Sequence, residues 1–189
     1  MIRPEVEKLY AQRAEELKKI VAERRAEEKA WAVAQPEKAA EMADWFAGRL
    51  PELPWNDIQQ KAGAPTRNAS SACLSMLSAN VKNMIVSSAD LCNSEKTDGF
   101  LKHTTVIRRG YFSGGFLQAC VSELTMACVC IGIALHGGML TAIGTFFVLS
   151  DYMKPAIRMA ALMELPVKFV WSHDAFRVGE DGPTHEPVE

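Results

Sequence analysis

The first third of the chain carries apolar residues at three- and four-residue spacing, a period that predicts helices. One such stretch covers residues 4–33 among closely mixed charges of both signs, and Pro4 suits the first turn of a helix. A second covers residues 36–50 and ends where prolines begin. The first helix is either a solvated linker or a coiled-coil dimerisation arm. The linker is favoured because the apolar seam lapses at Arg13 and Arg24.

After the prolines, short apolar runs alternate with helical patterns. Thr66 is a candidate cap for a helix that reaches Asn80, and further helices are predicted to begin at Glu123 and to cover residues 150–163. The runs that predict buried strands are residues 84–91, 116–122, 141–149 and 167–174. Strands separated by helices predict an α/β fold, a parallel sheet flanked by helices.

The composition changes between residues 51 and 65, where charges thin out and small and β-branched residues take over. We therefore expect two parts, a helical interdomain linker or arm at residues 1–58 and the α/β domain at residues 59–189.

The uncharged stretch of residues 124–149 has the length of a membrane span, which needs about 20 apolar residues. However, His136, Gly137 and Gly138 interrupt it, and adjacent glycines are a poor helix interior. We predict a buried helix, a Gly-Gly turn and a buried strand, and no membrane partner.

Charge and cysteine content narrow the class of protein. A net charge of −2 provides neither a basic field for nucleic acid nor a polybasic face for anionic lipid. The 5 cysteines are odd in number and lack CxxC spacing, which fits free thiols in a reducing compartment. The N-terminus is too charged for a secretory signal peptide, so we expect a cytoplasmic protein.

Polar residues follow each predicted strand, at the edge where parallel sheets bind ligands. They are Asp90, Glu123, Asp151, His173 and Asp174. Glu123 is the most informative, because it stands where an apolar strand passes into an apolar helix and should be buried. A buried carboxylate is costly unless it is paired or bonded to a ligand, and its pKa should be raised. Capping of the helix explains Glu123 equally well at this point.

The last stretch, residues 178–189, reads VGEDGPTHEPVE and combines turn residues with carboxylates and a histidine. His173, Asp181 and His185 are spaced loosely enough to be metal ligands. Pro187, however, prevents the helix that an HExxH zinc motif needs. Convergence of these groups on a small molecule is favoured over a metal site.

Taken together, these stretches resemble transketolase, and specifically its middle, pyrimidine-binding domain. The stretches that carry the resemblance are SADLCNSEKTDGF, VSELTMACVCIGIALHGG, TFFVLSDYMKPAIRMAALM and HDAFRVGEDGPTHEPVE. They occur in family order, and GEDGPTH followed by PVE is the most specific of them. The resemblance implies the thiamine diphosphate-binding fold. It also implies transfer of a two-carbon ketol unit from a ketose phosphate to an aldose phosphate in the pentose phosphate pathway.

The resemblance assigns roles to individual residues. Glu123 falls on the catalytic glutamate, which bonds to N1′ of the aminopyrimidine and favours the tautomer that deprotonates C2 of the cofactor. The positions that match the aminopyrimidine pocket are Phe146, Leu149 and Tyr152, of which the aromatic ones would by default be core residues. The positions that match the sugar-phosphate site are Arg67, Ser94, His173, Asp181 and His185. In this assignment Asp181 senses the 2-hydroxyl, and His185, a second catalytic residue, contacts the donor's carbonyl and hydroxyls.

Some positions depart from the commonest family pattern. Leu149 stands where a stacking Phe is usual, and Ala175 stands where Ser is common. Ser122 and Leu124 replace a more usual Arg and a His or Phe on either side of Glu123, which removes a positive neighbour from this carboxylate.

The family's diphosphate-binding motif, the last strands of the pyrimidine domain and the C-terminal domain have no counterpart in the sequence. We therefore expect a C-terminally incomplete domain that supplies half of a site. It would contain no metal ligand, and its Mg²⁺ would be held by the diphosphate-binding domain or subunit of a homo- or hetero-oligomer. The alternatives are a truncated, non-catalytic binding or interaction module and, less favoured, a metal-dependent hydrolase.

Overall fold

The computed structural model, which describes residues 3–174 and 181–187, contains an entirely parallel, four-stranded sheet. The strands are β1 (Met84–Ser88), β2 (Phe116–Gln118), β3 (Leu140–Phe146) and β4 (Lys168–Ser172), and their order is β2-β1-β3-β4. This confirms the predicted α/β fold. Each strand ends before the last residue of the apolar run that predicted it, because the end of the run belongs to the connection that follows the strand.

Helices connect and flank the strands. The α-helices are α1 (Pro4–Ala34), α2 (Pro36–Phe46), α3 (Thr66–Asn80), α4 (Cys92–Glu95), α5 (Glu123–His136) and α6 (Lys154–Leu162). The 3₁₀ helices are Trp55–Asp57, Thr97–Lys102 and Val148–Met153. The helix predicted over residues 150–163 is divided between the 3₁₀ helix Val148–Met153 and α6, whereas α4 and the other 3₁₀ helices were not predicted.

Two apolar clusters cover the two faces of the sheet. Side chains alternate between the faces of a strand, so Ile143 and its neighbour Ala142 belong to different clusters. Ile143 packs with Met126 and Cys130 of α5 and with α6, whereas Ala142 packs with Leu74 of α3. The sheet is therefore a middle layer between helices, and its carboxyl edge remains accessible for side chains from the connections.

The chain divides into two compact units, one up to Asp44 and one from Trp45 onward. The first consists of α1 and most of α2. Helix α1, all of which is described, has no buried residue, and four ion pairs at (i, i+3) spacing run along it, for example Arg13–Glu16 at 2.8 Å. The mixed charges that predicted a solvated helix thus pair with one another.

Two helix ends differ from the prediction. Thr66 is the first helical residue of α3 rather than its cap, and Pro65 occupies the cap position without a side-chain hydrogen bond. Helix α2 ends at Phe46, because Gly48 adopts a left-handed φ of 69° that ends the helix before the prolines do.

The uncharged stretch forms α5, a turn and β3, as predicted. Gly137 and Gly138 have φ values of 84° and 75°, which a side chain would strain. Helix α5 buries one face only, since Leu124, Val129 and Leu135 are exposed in this chain. Within residues 3–174 and 181–187, no helix combines the length and apolarity needed to cross a membrane.

Candidate active site

Strained backbone marks the carboxyl edge of the sheet. Asp90 follows β1, Cys120 follows β2 and His173 follows β4, and these residues have left-handed φ values of 67°, 56° and 57°. The left-handed region costs energy for residues other than glycine, and such residues cluster at functional sites. The carboxyl edge of the sheet, where the sequence predicted a ligand site, is therefore also where these residues with left-handed backbone lie.

Glu123 is the first residue of α5 and is 6% exposed. The turn that precedes it is held by hydrogen bonds, because the Ser122 hydroxyl donates to the Ala119 carbonyl at 2.6 Å and the Ser122 N–H donates to the Cys120 carbonyl at 2.8 Å. The predicted burial is confirmed. Ser122, and not Glu123, is the N-cap residue of α5, so the carboxylate lies one position inside the helix end that favours negative charge.

Arg67 and His173 meet beside the end of β4. Arg67 Nη1 lies 3.1 Å from His173 Nε2, and His173 Nδ1 lies 2.9 Å from the Ser172 hydroxyl oxygen. A guanidinium only donates, so Nε2 accepts, and Nδ1 carries the proton and donates to Ser172. The imidazole is thus neutral in this arrangement.

Its surroundings also favour the neutral form. Burial and then the Arg67 charge lower the pKa of His173, against the weaker opposing effect of Asp181. The His173 side chain is 6% exposed, and Arg67 Nε is buried without a hydrogen-bond partner among the described residues. An anion would satisfy that unpaired donor.

The Phe146 ring lies beside both His173 and His185. Its ring centroid lies 3.9 Å from that of His173 and 5.4 Å from that of His185. His185 belongs to a turn in which its N–H donates to the Gly182 carbonyl at 3.0 Å. The structure therefore places Phe146, which was predicted to line the aminopyrimidine pocket, beside His173 and His185, which were predicted to bind the substrate.

Asp181 completes this group. Its Oδ2 lies 3.9 Å from His173 Nε2, and its N–H donates to Glu186 Oε1 at 3.2 Å. The described parts of the chain contain no cluster of three or more His, Cys, Asp or Glu residues that would hold a metal ion, so they offer the hydrolase hypothesis no support.

The remaining predicted site residues lie at the same edge with more exposed side chains. Ser94 is exposed on α4, which follows β1. Leu149 is half-buried and Tyr152 is 65% exposed, and both lie on the 3₁₀ helix that follows β3 and packs against α5. Ala175, a position where the sequence departs from the family pattern, lies outside the described residues.

The other strand-end carboxylates, Asp90, Asp151 and Asp174, are exposed. Asp151 pairs with Lys154 at 2.7 Å, which is a surface ion pair and not a buried site.

Glu95 is a buried carboxyl that the sequence interpretation missed. It is 1% exposed, Thr97 donates a 2.6 Å hydrogen bond to its Oε1, and burial raises its pKa to about 7. Glu95, Thr97 and Gly99 are buried while Lys96 and Asp98 are half-buried, an alternation that this polar stretch does not reveal as a sequence. Asp90 and Asp98 lie in the same stretch, so residue type does not distinguish Glu95 from them.

A family model described as the transketolase pyrimidine-binding domain matches residues 62–189. The chain belongs to the transketolase family. Transketolase from Halalkalibacterium halodurans is 42% identical over 160 residues, which are 82% of this chain and 24% of that protein. Bacillus subtilis transketolase is 42% identical over 158 residues, again 82% of this chain and 23% of that protein.

Solved transketolase structures share the fold. Leishmania mexicana transketolase superimposes with a TM-score of 0.87 at 27% identity and covers 100% of this chain, which spans 28% of that protein. A Pichia stipitis transketolase complex with sedoheptulose-7-phosphate gives a TM-score of 0.84 at 32% identity, with 100% and 29% covered. The chain thus spans about a quarter of the length of the transketolases it matches, and the predicted family and fold are confirmed.

Proposed function

We propose that this chain supplies the aminopyrimidine-binding half of a thiamine diphosphate site that transfers a two-carbon ketol unit from a ketose phosphate to an aldose phosphate. The observation that carries the proposal is the buried Glu123 carboxyl at the start of α5, beside the strand ends of a transketolase-family domain.

The residues present fit this cofactor. A carboxyl that is withdrawn from water by its own fold is what hydrogen bonding to N1′ of the aminopyrimidine requires, and Phe146 offers an apolar ring at the same edge. Leu149 and Tyr152 on the adjoining 3₁₀ helix would line the rest of the ring pocket. When bound, thiamine diphosphate supplies the carbanion chemistry by which the two-carbon unit is removed and transferred.

Glu123 would hold the proton at N1′ and so fix the tautomer of the aminopyrimidine. Its burial matters because a carboxylate in a water-excluded site interacts more strongly with a ligand group than one in solvent. The neighbouring Ser122 and Leu124 carry no charge, so no cation beside it in sequence competes for the carboxylate.

Arg67, with Ser94, would bind the substrate phosphate. In this structure the guanidinium donates to a neutral imidazole nitrogen, and its Nε has no acceptor within the described ranges. Hydrogen bonds between ionised partners are roughly twice as strong as neutral ones, so phosphate oxygens would displace His173 from Arg67. The related Pichia stipitis enzyme complexed with sedoheptulose-7-phosphate supports a sugar phosphate as the substrate class.

His173, Asp181 and His185 would then orient the sugar. The displaced His173 Nε2 would accept a hydrogen bond from a hydroxyl of the sugar phosphate, while Asp181 and His185 would contact the 2-hydroxyl and the donor carbonyl. Phe146 supports this role by holding both imidazoles in contact with one ring.

A diphosphate-binding domain would have to complete the site, since the region matched is the pyrimidine-binding domain. That domain would hold the diphosphate and Mg²⁺. The exposed apolar side chains of α5, Leu124, Val129 and Leu135, offer a surface on which such a partner would pack.

Ketol-transfer assays with thiamine diphosphate and Mg²⁺ test the proposal. We would assay the chain alone, then mixed with the separately expressed diphosphate-binding domain of Bacillus subtilis transketolase, and compare Glu123→Gln with the exposed Glu52→Gln. We expect activity only in the mixture, a loss of at least about 100-fold in Glu123→Gln, and no change in Glu52→Gln. A folded chain without activity in any mixture would instead support a non-catalytic binding module.

A further inference from the structure

The short helix α4, which follows β1, buries a carboxyl that the proposed function does not use. Its last residue, Glu95, is 1% exposed. Glu95 Oε1 accepts a hydrogen bond from the Thr97 hydroxyl at 2.6 Å, whereas Oε2 is buried and makes no hydrogen bond with any residue in the described ranges. A buried oxygen without a partner is costly, and the cost is far larger for a charged carboxylate than for a neutral carboxyl. The fold therefore favours the protonated form of Glu95.

Strand β3 leaves room for this carboxyl at Gly144. A Cβ atom at that position would lie 2.6 Å from Glu95 Oε1 and 2.5 Å from Thr97 Cγ2, closer than such atoms approach one another. The Glu95 carboxyl thus fills the space that a side chain on β3 would otherwise take. This contact attaches α4 to the sheet.

The same helical turn presents Ser94 at the carboxyl edge of the sheet. The N–H groups of Ser94 and Glu95 donate to the Leu91 carbonyl at 2.8 Å and 3.0 Å, and the Leu91 N–H donates to the Ser88 hydroxyl oxygen at 3.1 Å. Ser94 is exposed, while the residue after it is buried against β3. The Glu95 side chain therefore sets where the turn, and with it the Ser94 hydroxyl, lies relative to the sheet.

The 3₁₀ helix Thr97–Lys102, which follows α4, is held by a different contact, the close approach of Gly99 to Ser71 of α3. Lys96 separates the two helices and has a left-handed φ of 70°. Loss of the contact between Glu95 and β3 would thus free α4 while the 3₁₀ helix keeps its packing on α3. Local opening of this kind needs less free energy than global unfolding.

The charges near Glu95 add to the effect of its burial. Burial is the largest reason why the pKa of Glu95 rises to about 7. The hydroxyls of Ser88 and Thr97 oppose the rise, and the negative charges of Asp98 and, least, of Glu123 in α5 increase it.

The cations of the elements that pack on this segment have other surroundings. Strands β1 and β3, both described throughout, contain no charged residue, and Arg67, the charged residue of α3, donates to His173. In the segment itself, Lys96 is half-buried and Lys102 is exposed. A cation that is open to solvent is screened by water and compensates a buried anion only weakly.

We propose that Glu95 is a positioning residue for Ser94: its neutral carboxyl packs in the space left by Gly144 and holds α4 at the carboxyl edge of the sheet, and ionisation of this carboxyl releases α4. Release moves Ser94 because the two residues share one helical turn. Only the use of Ser94, toward a substrate phosphate, rests on the proposed function.

The pH range of the release follows from the proton that Glu95 carries. With α4 packed on β3, Glu95 keeps its proton up to about pH 7, whereas with α4 released it loses that proton near its ordinary value of 4.5. The packed arrangement is therefore most favoured below pH 4.5, loses this advantage as pH rises toward 7, and changes no further at higher pH.

Amide hydrogen exchange of the full chain without ligand, followed by NMR, measures the release. The reporters are the hydrogen-bonded N–H groups of Leu91, Ser94 and Glu95, with rates corrected for the chemical effect of pH on exchange. In the wild type we expect their opening equilibrium to rise at least about tenfold between pH 5 and pH 7. In Glu95→Gln, which cannot ionise, it should change by less than about twofold, and the exposed control Glu52→Gln should keep the wild-type rise.

A second variant keeps the test decisive if Glu95→Gln does not fold. Asp98→Asn removes a negative charge that raises the pKa of Glu95, so the rise should level off at a lower pH than in the wild type. An opening equilibrium that is equal at pH 5 and pH 7 in the wild type, or a rise that persists in a folded Glu95→Gln, would overturn the proposal. The experiment contains neither cofactor nor sugar phosphate, so failure of the ketol-transfer assay leaves it unaffected and the two proposals fail separately.

Discussion

Arg67 Nη1 donates to His173 Nε2 across 3.1 Å, and this hydrogen bond joins the first turn of α3 to the residue that follows β4. The bond requires a neutral imidazole, so it couples the geometry of the edge to pH. Its acceptor is also the nitrogen that lies 3.9 Å from Asp181 Oδ2, so one histidine connects a cation, an anion and the Phe146 ring.

Because Arg67 helps to lower the pKa of His173, Arg67→Met should raise that pKa, although burial, the larger cause, will keep it below its ordinary value. The unfolded chain binds this proton more readily than the folded chain. Stability due to the neutral imidazole is therefore present above about pH 6.5 and is lost as pH falls toward the folded pKa. NMR titration of the imidazole measures the pKa, and Arg109→Met, at an exposed position, is the control that should change nothing.

Glu95→Gln should remove a pH dependence of stability. The folded chain holds the Glu95 proton up to about pH 7, whereas an unfolded glutamate loses it near its ordinary value of 4.5. The free energy of unfolding should then fall between these values by at most about 3 kcal/mol and stay level at higher pH. Urea denaturation at pH 5 and pH 8 would reveal the difference. If Glu95→Gln loses as much stability as the wild type over this interval, then Glu95 does not bind the proton.

Two glycines provide a matched test of packing. Gly144→Ala would place a Cβ within 2.6 Å of Glu95 Oε1, and overpacking of a buried site typically costs about 1–3 kcal/mol. Gly132→Ala adds its methyl group to an exposed position of α5 with nothing within 4 Å, where alanine should be neutral or stabilise by up to about 1 kcal/mol. Thermal unfolding of both variants compares them directly. Equal stability would mean that Glu95 moves aside without cost.

Two adjacent phenylalanines provide a variant and its control, because Phe146 contacts the site histidines whereas Phe147 packs on Trp171. Phe146→Leu removes the ring that contacts His173 and His185, so KM for the ketose phosphate should rise several-fold in the reconstituted assay, at a cost of about 1 kcal/mol in stability. Phe147→Leu changes a ring that packs on Trp171 instead and should leave KM unchanged. Similar KM values for both variants would argue against support of the histidines by Phe146.

Local patterns were sufficient for the main elements. Helix α3 ends at Asn80, as its apolar stripe predicted, and Glu123 opens α5 where the strand pattern gives way to a helical one. The Gly137–Gly138 turn followed from conformational preference alone. Such features depend on residues that are close in sequence, so the sequence alone predicts them.

Glu95 illustrates what local patterns miss. Its burial, which is the main cause of its raised pKa, depends on its close approach to Gly144, which lies far from it in sequence. The cluster of Arg67, His173 and Asp181 was expected from a family resemblance and not from spacing, because these residues are far apart in sequence and meet through contacts that only the fold creates. The 3₁₀ helices carry no periodic signal by which they would be recognised.

The strand order β2-β1-β3-β4 also dictates how the chain can fold. Val86 pairs with Phe116, Met84 with Leu140 and Ala142 with Lys168, so every ladder between the four strands of the described residues is parallel and closes a long loop. Loop closure of this kind is slow. During synthesis β1 and the three-residue strand β2 are made before β3, which pairs with both β1 and β4. The pairing of β3 is therefore the step that commits the chain to its native topology.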